Sequence, residues 1–109
     1  GQPRPATVGQ LMQCLYRSLS ACYRDAIRSL EELTGVHYTS INIVGGGCQD
    51  MYLNRMTARA TGLPVYAGPV EGTAIGNLAV QMIGAGELAD LAAARSCIRR
   101  SFDVREILP

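Results

Sequence analysis

Leu11, Leu15, Leu19, Cys22, Ala26, Leu30 and Leu33 recur at steps of three and four residues, the spacing that lines one face of a helix. Thr7 followed by Gln10 has the form of a capping box ahead of that run, and Gly35 suits a left-handed cap behind it. The pattern predicts an amphipathic helix from about Val8 to Leu33, roughly 39 Å long at 1.5 Å per residue, with the apolar stripe turned inward. The arginines and tyrosines between the apolar positions read as a solvated outer face. Pro3 and Pro5 mark an extended entry to it.

The period changes at "SINIV" (residues 40–44), a short β-branched run between turn residues that predicts a buried strand. After Gly45-Gly46-Gly47, the positions Met51, Leu53, Met56 and Ala60 predict a second helix, closed by Gly62. "LPVYAG" (63–68) reads as a second strand, and the helical connection before it favours a right-handed crossover with the two strands as parallel neighbours. "GPVEGT" is a turn in which Thr73 has the chemistry of an N-cap for a third, small-residue helix ended by Gly84 and Gly86. "ELADLAAARSCIRRSF" (87–102) predicts a fourth helix, and "DVREILP" trails away. The predicted fold class is α/β in the order α-β-α-β-α-α, with no internal repeat. Two strands buried on both faces need neighbours, so the pattern reads as part of a larger domain.

The rest of the composition narrows function more than fold. With 48% apolar residues, the 109-residue chain can build a core and is no candidate for disorder. All ten basic residues are arginine, against nine acidic ones, and the net charge of +1 is spread along the chain. That distribution offers no basic stripe, so nucleic acid is not an expected partner. No apolar run approaches the ~20 residues of a membrane span, and "GQPRPATVGQ" lacks the apolar core of a signal peptide. A membrane is therefore not expected as a partner, and the expected location is the cytoplasm.

Cys14, Cys22, Cys48 and Cys97 are scattered, with no Cys-x-x-Cys, so neither a zinc site nor a disulfide framework is expected. Cys14 and Cys22 lie eight residues apart and read as small core residues of the first helix. Cys48 falls at a predicted helix start, where a thiol pKa can drop, but no base stands near it. The single histidine, His37, lies in a predicted turn.

The chemistry concentrates at "VGGGCQ" (44–49). A strand running through glycines into a helix brings backbone close to a ligand, with free N–H donors, at the carboxyl end of a strand. The spacing is not the dinucleotide fingerprint, since no glycine follows at the sixth position, and no Gly-Lys-Ser/Thr makes it a P-loop. Spacing alone leaves two readings open: a structural corner or a nucleotide contact. "AGPVEGTAIGN" (67–77) is a second small-residue turn, which would border the same crevice. In it Glu71 reads as a charge at a helix start or, alternatively, as a ribose or water contact. No catalytic constellation and no metal-binding carboxylate pair are visible.

Together "VGGGCQ", "GPVEGTAIGN" and Gln81 in "NLAVQ" resemble the C-terminal part of the FGGY carbohydrate kinases, within the actin/hexokinase/Hsp70-like ATPase superfamily. Through the long helix and "ELTG" the resemblance covers nearly the whole chain, residues 1–109. It implies the C-terminal part of the second, actin-like (ribonuclease H-like) kinase domain, incomplete on its own. Within that family the resemblance implies phosphorylation of L-rhamnulose to L-rhamnulose 1-phosphate with ATP and Mg. By the resemblance Gly45, Gly46 and Gly47 lie against the adenosine and α-phosphate of ATP or ADP. The catalytic aspartate, the sugar-binding residues and the N-terminal phosphate hairpin of such kinases match no residue here. The chain alone is then expected to be inactive. Asp50 stands where the family has Asn or Ser beside the adenine, Arg55 where Gln is usual, and Arg59 where Asp is common. Asp50 could accept from the exocyclic amine but could not donate to a ring nitrogen, or could instead pair with Arg55 on the helix surface. The alternative to a kinase portion is a non-catalytic module that associates, with itself among others, through uncovered sheet edges and helix faces.

Overall fold

The computed structural model describes residues 3–109. Helix α1 runs Val8–Thr34, with Thr7 accepting from the Gln10 amide at one end and Gly35 in the left-handed conformation at the other. Strand β1 (Ile41–Ile43) leads into a 3-10 turn at Gly46–Gln49 and helix α2 (Met51–Thr61). Strand β2 (Val65–Ala67) follows, then helices α3 (Gly72–Gly84) and α4 (Leu91–Ser101), and strand β3 (Arg105–Ile107).

The sheet is three-stranded in the order β1-β2-β3. As the helical crossover predicts, β1 and β2 pair in parallel, Ile41 opposite Val65. Contrary to expectation, the chain end does not trail away: β3 pairs antiparallel to β2, with Tyr66 opposite Glu106. The Tyr66 hydroxyl donates to Glu106 at 2.9 Å, and the Arg99 guanidinium lies 5.8 Å from the Tyr66 ring centre. These contacts hold a strand that has only one buried residue of its own, Ile107.

Three further expectations are corrected. Helix α3 begins at Gly72 with Glu71 in the cap position and no side-chain cap, so Thr73 is not the N-cap. Helix α4 begins only at Leu91, where Asp90 accepts from the Ala93 amide; residues 87–90 are not helical because that local bond sets the start. Strand β1 is only half-buried, since it forms one edge of the sheet.

The largest correction concerns α1. Its predicted inward stripe is the side left bare: Leu11, Leu15, Leu19, Leu30 and Leu33 are all exposed, Leu33 by 83%. Cys14 and Cys22 share that exposure instead of joining a core. The face turned to the rest of the molecule carries Tyr16, Ser20 and Ile27, about a third of a turn away. Ser20 is buried there, its hydroxyl donating to the Arg17 carbonyl.

What remains is a small core of Cys48, Ala58, Val65, Ala67 and Ile107, packed by Ile41, Ile43 and Met51. The chain extends 59 × 33 × 20 Å with a radius of gyration of 17.0 Å. A compact chain of this length would have about 13 Å. No described helix is long and apolar enough to cross a membrane.

Candidate functional site

Two turns leave the sheet on the same side, and hydrogen bonds tie them together. The Gly68 amide donates to Ile43 at 2.8 Å, and the Gly45 amide donates to Pro69 at 3.2 Å. A Cβ at Gly72 would stand 2.9 Å from the Cβ of Val44, so the start of α3 packs directly on the residue leaving β1. The two small-residue turns thus lie side by side in direct contact.

Within the glycine triplet the three positions differ. Gly45 has φ 88° and ψ −177°, a conformation essentially reserved for glycine, so it is the corner itself. Gly46 and Gly47 have no such constraint, and a Cβ at either would meet nothing within 4 Å. They open the 3-10 turn, and among the described residues none accepts a hydrogen bond from their amides. Both residues are exposed.

The turn is anchored from beneath. Asn54 on α2 is fully buried, and its Nδ2 donates to the Cys48 carbonyl at 2.8 Å. Its Oδ1 has no hydrogen-bond partner among the described residues. Asn54 was not legible as part of the site, because its spacing along α2 looks like that of any helix residue. Cys48 itself is buried in the 3-10 turn and packs as a core residue.

Asp50 is used differently from the surface pair weighed above. It caps α2 by accepting from the Leu53 amide at 3.1 Å, and its other oxygen accepts from the Tyr16 hydroxyl of α1. No Asp50–Arg55 ion pair forms among the described residues. The Tyr16 and Tyr52 rings pack 5.8 Å apart beside this bond. Glu71 is exposed and makes no cap bond, in keeping with a charge near a helix start. His37 lies beyond α1, beside Glu31 at 3.1 Å.

The Tyr16 bond, then the backbone bond from Leu53, holds the Asp50 carboxyl below its ordinary 3.8. The same contact raises Tyr16 above its ordinary 10.0. A depressed carboxyl stabilises the fold above its unfolded pKa and loses that effect as pH falls through the folded value. A raised phenol stabilises below its unfolded pKa and loses that effect as pH rises through the folded value. The bond therefore works between mild acid and about pH 10. Tyr16→Phe is expected to lower the urea midpoint at about pH 7 and to approach the parent in strong acid and in strong base. A difference that stays constant with pH would contradict this assignment.

Among the described residues no group of three His, Cys, Asp or Glu could hold a metal ion. The arrangement offers backbone approach and two open N–H donors but no acid–base pair.

The description "FGGY family of carbohydrate kinases, C-terminal domain" matches residues 1–85. The chain is 43% identical over 108 residues to the Rhamnulokinase of Bacillus subtilis (strain 168), covering 99% of this chain and 22% of that protein. It is 40% identical over 109 residues to the Rhamnulokinase of Ligilactobacillus salivarius (strain UCC118), covering 100% of this chain and 22% of the relative. For the Rhamnulokinase of Enterococcus faecalis (strain ATCC 700802 / V583) the identity is 44% over 103 residues, 93% of this chain and 21% of the relative. The chain thus spans about a fifth of the length of these curated relatives.

Proposed function

The chain belongs to the FGGY family of carbohydrate kinases, and from that we propose that it forms the nucleotide-side wall of an ATP-dependent sugar kinase. The observation that carries this is the contrast within the triplet: Gly45 is needed by the backbone, while Gly46 and Gly47 are free of any packing requirement. Glycine at positions with open space suits the close approach of something outside the chain. An adenosine and its α-phosphate fit that description. Gly46 is the central contact, Gly45 and Gly47 flank it, and Asp50 stands beside the base.

The substrate we assign is L-rhamnulose, converted to its 1-phosphate, because the relatives at 39–44% identity carry the name Rhamnulokinase. ATP supplies the phosphoryl group. Mg would accompany the ATP in the full-length kinase. The roles left to this chain are to hold the nucleotide against a rigid corner and to orient it. No residue here stands as catalytic base, so the 109-residue chain alone is expected to bind nucleotide without turnover. We place the protein in the cytoplasm, where ATP is available.

In an isothermal titration with ADP, Gly46→Val is expected to weaken binding at least tenfold, about 1.4 kcal/mol or more, while leaving the urea midpoint near the parent value. Unchanged binding in that variant would remove the glycines from the nucleotide site.

The bare leucine stripe of α1 favours one further reading, association of the chain with itself. Light scattering that returns a monomer at micromolar concentration would count against it.

A further inference from the structure

Helices α1 and α2 enclose an open groove of about 590 Å³ that no part of the nucleotide wall uses. Arg17 and Arg24 enter it from α1, and Arg55 and Arg59 from α2. Four of the ten basic residues of a chain with net charge +1 thus line one groove, and no carboxylate lines it with them. Arg24 has an ion-pair partner, Asp25, at 2.9 Å. Arg17, Arg55 and Arg59 have none among the described residues. Like charges lining one groove favour an anion that several of them can share.

We propose that this groove is an anion site separate from the nucleotide wall, taking a small, multiply charged phosphate compound. Guanidinium groups donate in pairs to phosphate oxygens and stay charged throughout the physiological range, which lysines would do less rigidly. The volume lies within the range of small-ligand sites. Nucleic acid fits less well, because it needs a basic track longer than one groove, and the remaining arginines do not line this groove. Being open to solvent, such a site weakens as salt rises, over a screening length of about 10 Å at 0.1 M.

Tripolyphosphate, which has no base or sugar, tests this in the 109-residue chain by isothermal titration at low salt. One molecule per chain is expected to bind. The double variant Arg55→Gln/Arg59→Gln is expected to bind at least tenfold more weakly, and Arg100→Gln, exposed on α4 and outside both the groove and the glycine turn, within twofold of the parent. Arg55 and Arg59 are exposed, so their replacement is expected to leave the fold intact, which far-ultraviolet circular dichroism checks. A second pair, Arg17→Gln/Arg24→Gln, is expected to repeat the loss from the other helix. Parent-like affinity in both double variants, or an equal loss in Arg100→Gln, would overturn the proposal.

Discussion

Gly68→Ala is expected to destabilise the chain by about 3 kcal/mol or more, seen as a large fall in the urea midpoint. Gly68 has φ 122°, a region that residues with a Cβ rarely enter. An added Cβ would stand 2.5 Å from the Asp103 carbonyl oxygen and 3.4 Å from the Val104 Cα, both backbone atoms that cannot swing aside. Relief requires the segment before β3 to move, and β3 is tied down by its ladder, the burial of Ile107 in the core and the Tyr66–Glu106 bond. The amide of Gly68 also holds Ile43, so the shift would reach both edges of the sheet. Gly46→Ala is the control: its Cβ meets nothing, and its midpoint should stay close to the parent. If Gly68→Ala unfolds at the parent midpoint, the junction described between β2 and β3 is wrong.

The second large effect is expected at Asn54. Asn54→Ala strips the donor from the buried Cys48 carbonyl and opens a small cavity beneath the glycine turn. The loss is moderated because the same change removes Oδ1, which has no partner among the described residues. The expected cost is about 2 kcal/mol in urea unfolding, a sizeable part of the stability of so small a core. ADP affinity should fall as well, because the 3-10 turn loses its support from α2. Unaltered stability and affinity together would mean that the turn holds itself.

These effects separate what short-range chemistry reveals from what it does not. Thr7 and Gly35 mark the ends of α1 within a residue because capping is settled by neighbours in the chain. The parallel pairing of β1 and β2 follows from the connection between them. The glycine corner and its partner turn were legible for the same reason. The buried side of α1 was not. A periodic leucine stripe shows that a face seeks cover, but not whether these 109 residues supply it, and here they leave it exposed. Strand β3 escaped because "DVREILP" has only three apolar residues before its final proline, and its pairing depends on Tyr66, 40 positions away. The arginine groove escaped because Arg17 and Arg24 meet Arg55 and Arg59 only once two helices pack. Asn54 becomes visible only when its side chain is seen reaching back to Cys48.

The central claim is that the exposed peptide units of Gly46 and Gly47 are a nucleotide contact and not merely a corner. The most direct measurement is an ADP titration of the isotope-labelled chain followed by amide chemical shifts. The Gly45, Gly46 and Gly47 amides are expected to move first and furthest, with the amides around Gly72 following and those along the bare face of α1 unmoved. ADP binding that leaves the three glycine amides in place, or shifts only the residues of the arginine groove, would contradict the account.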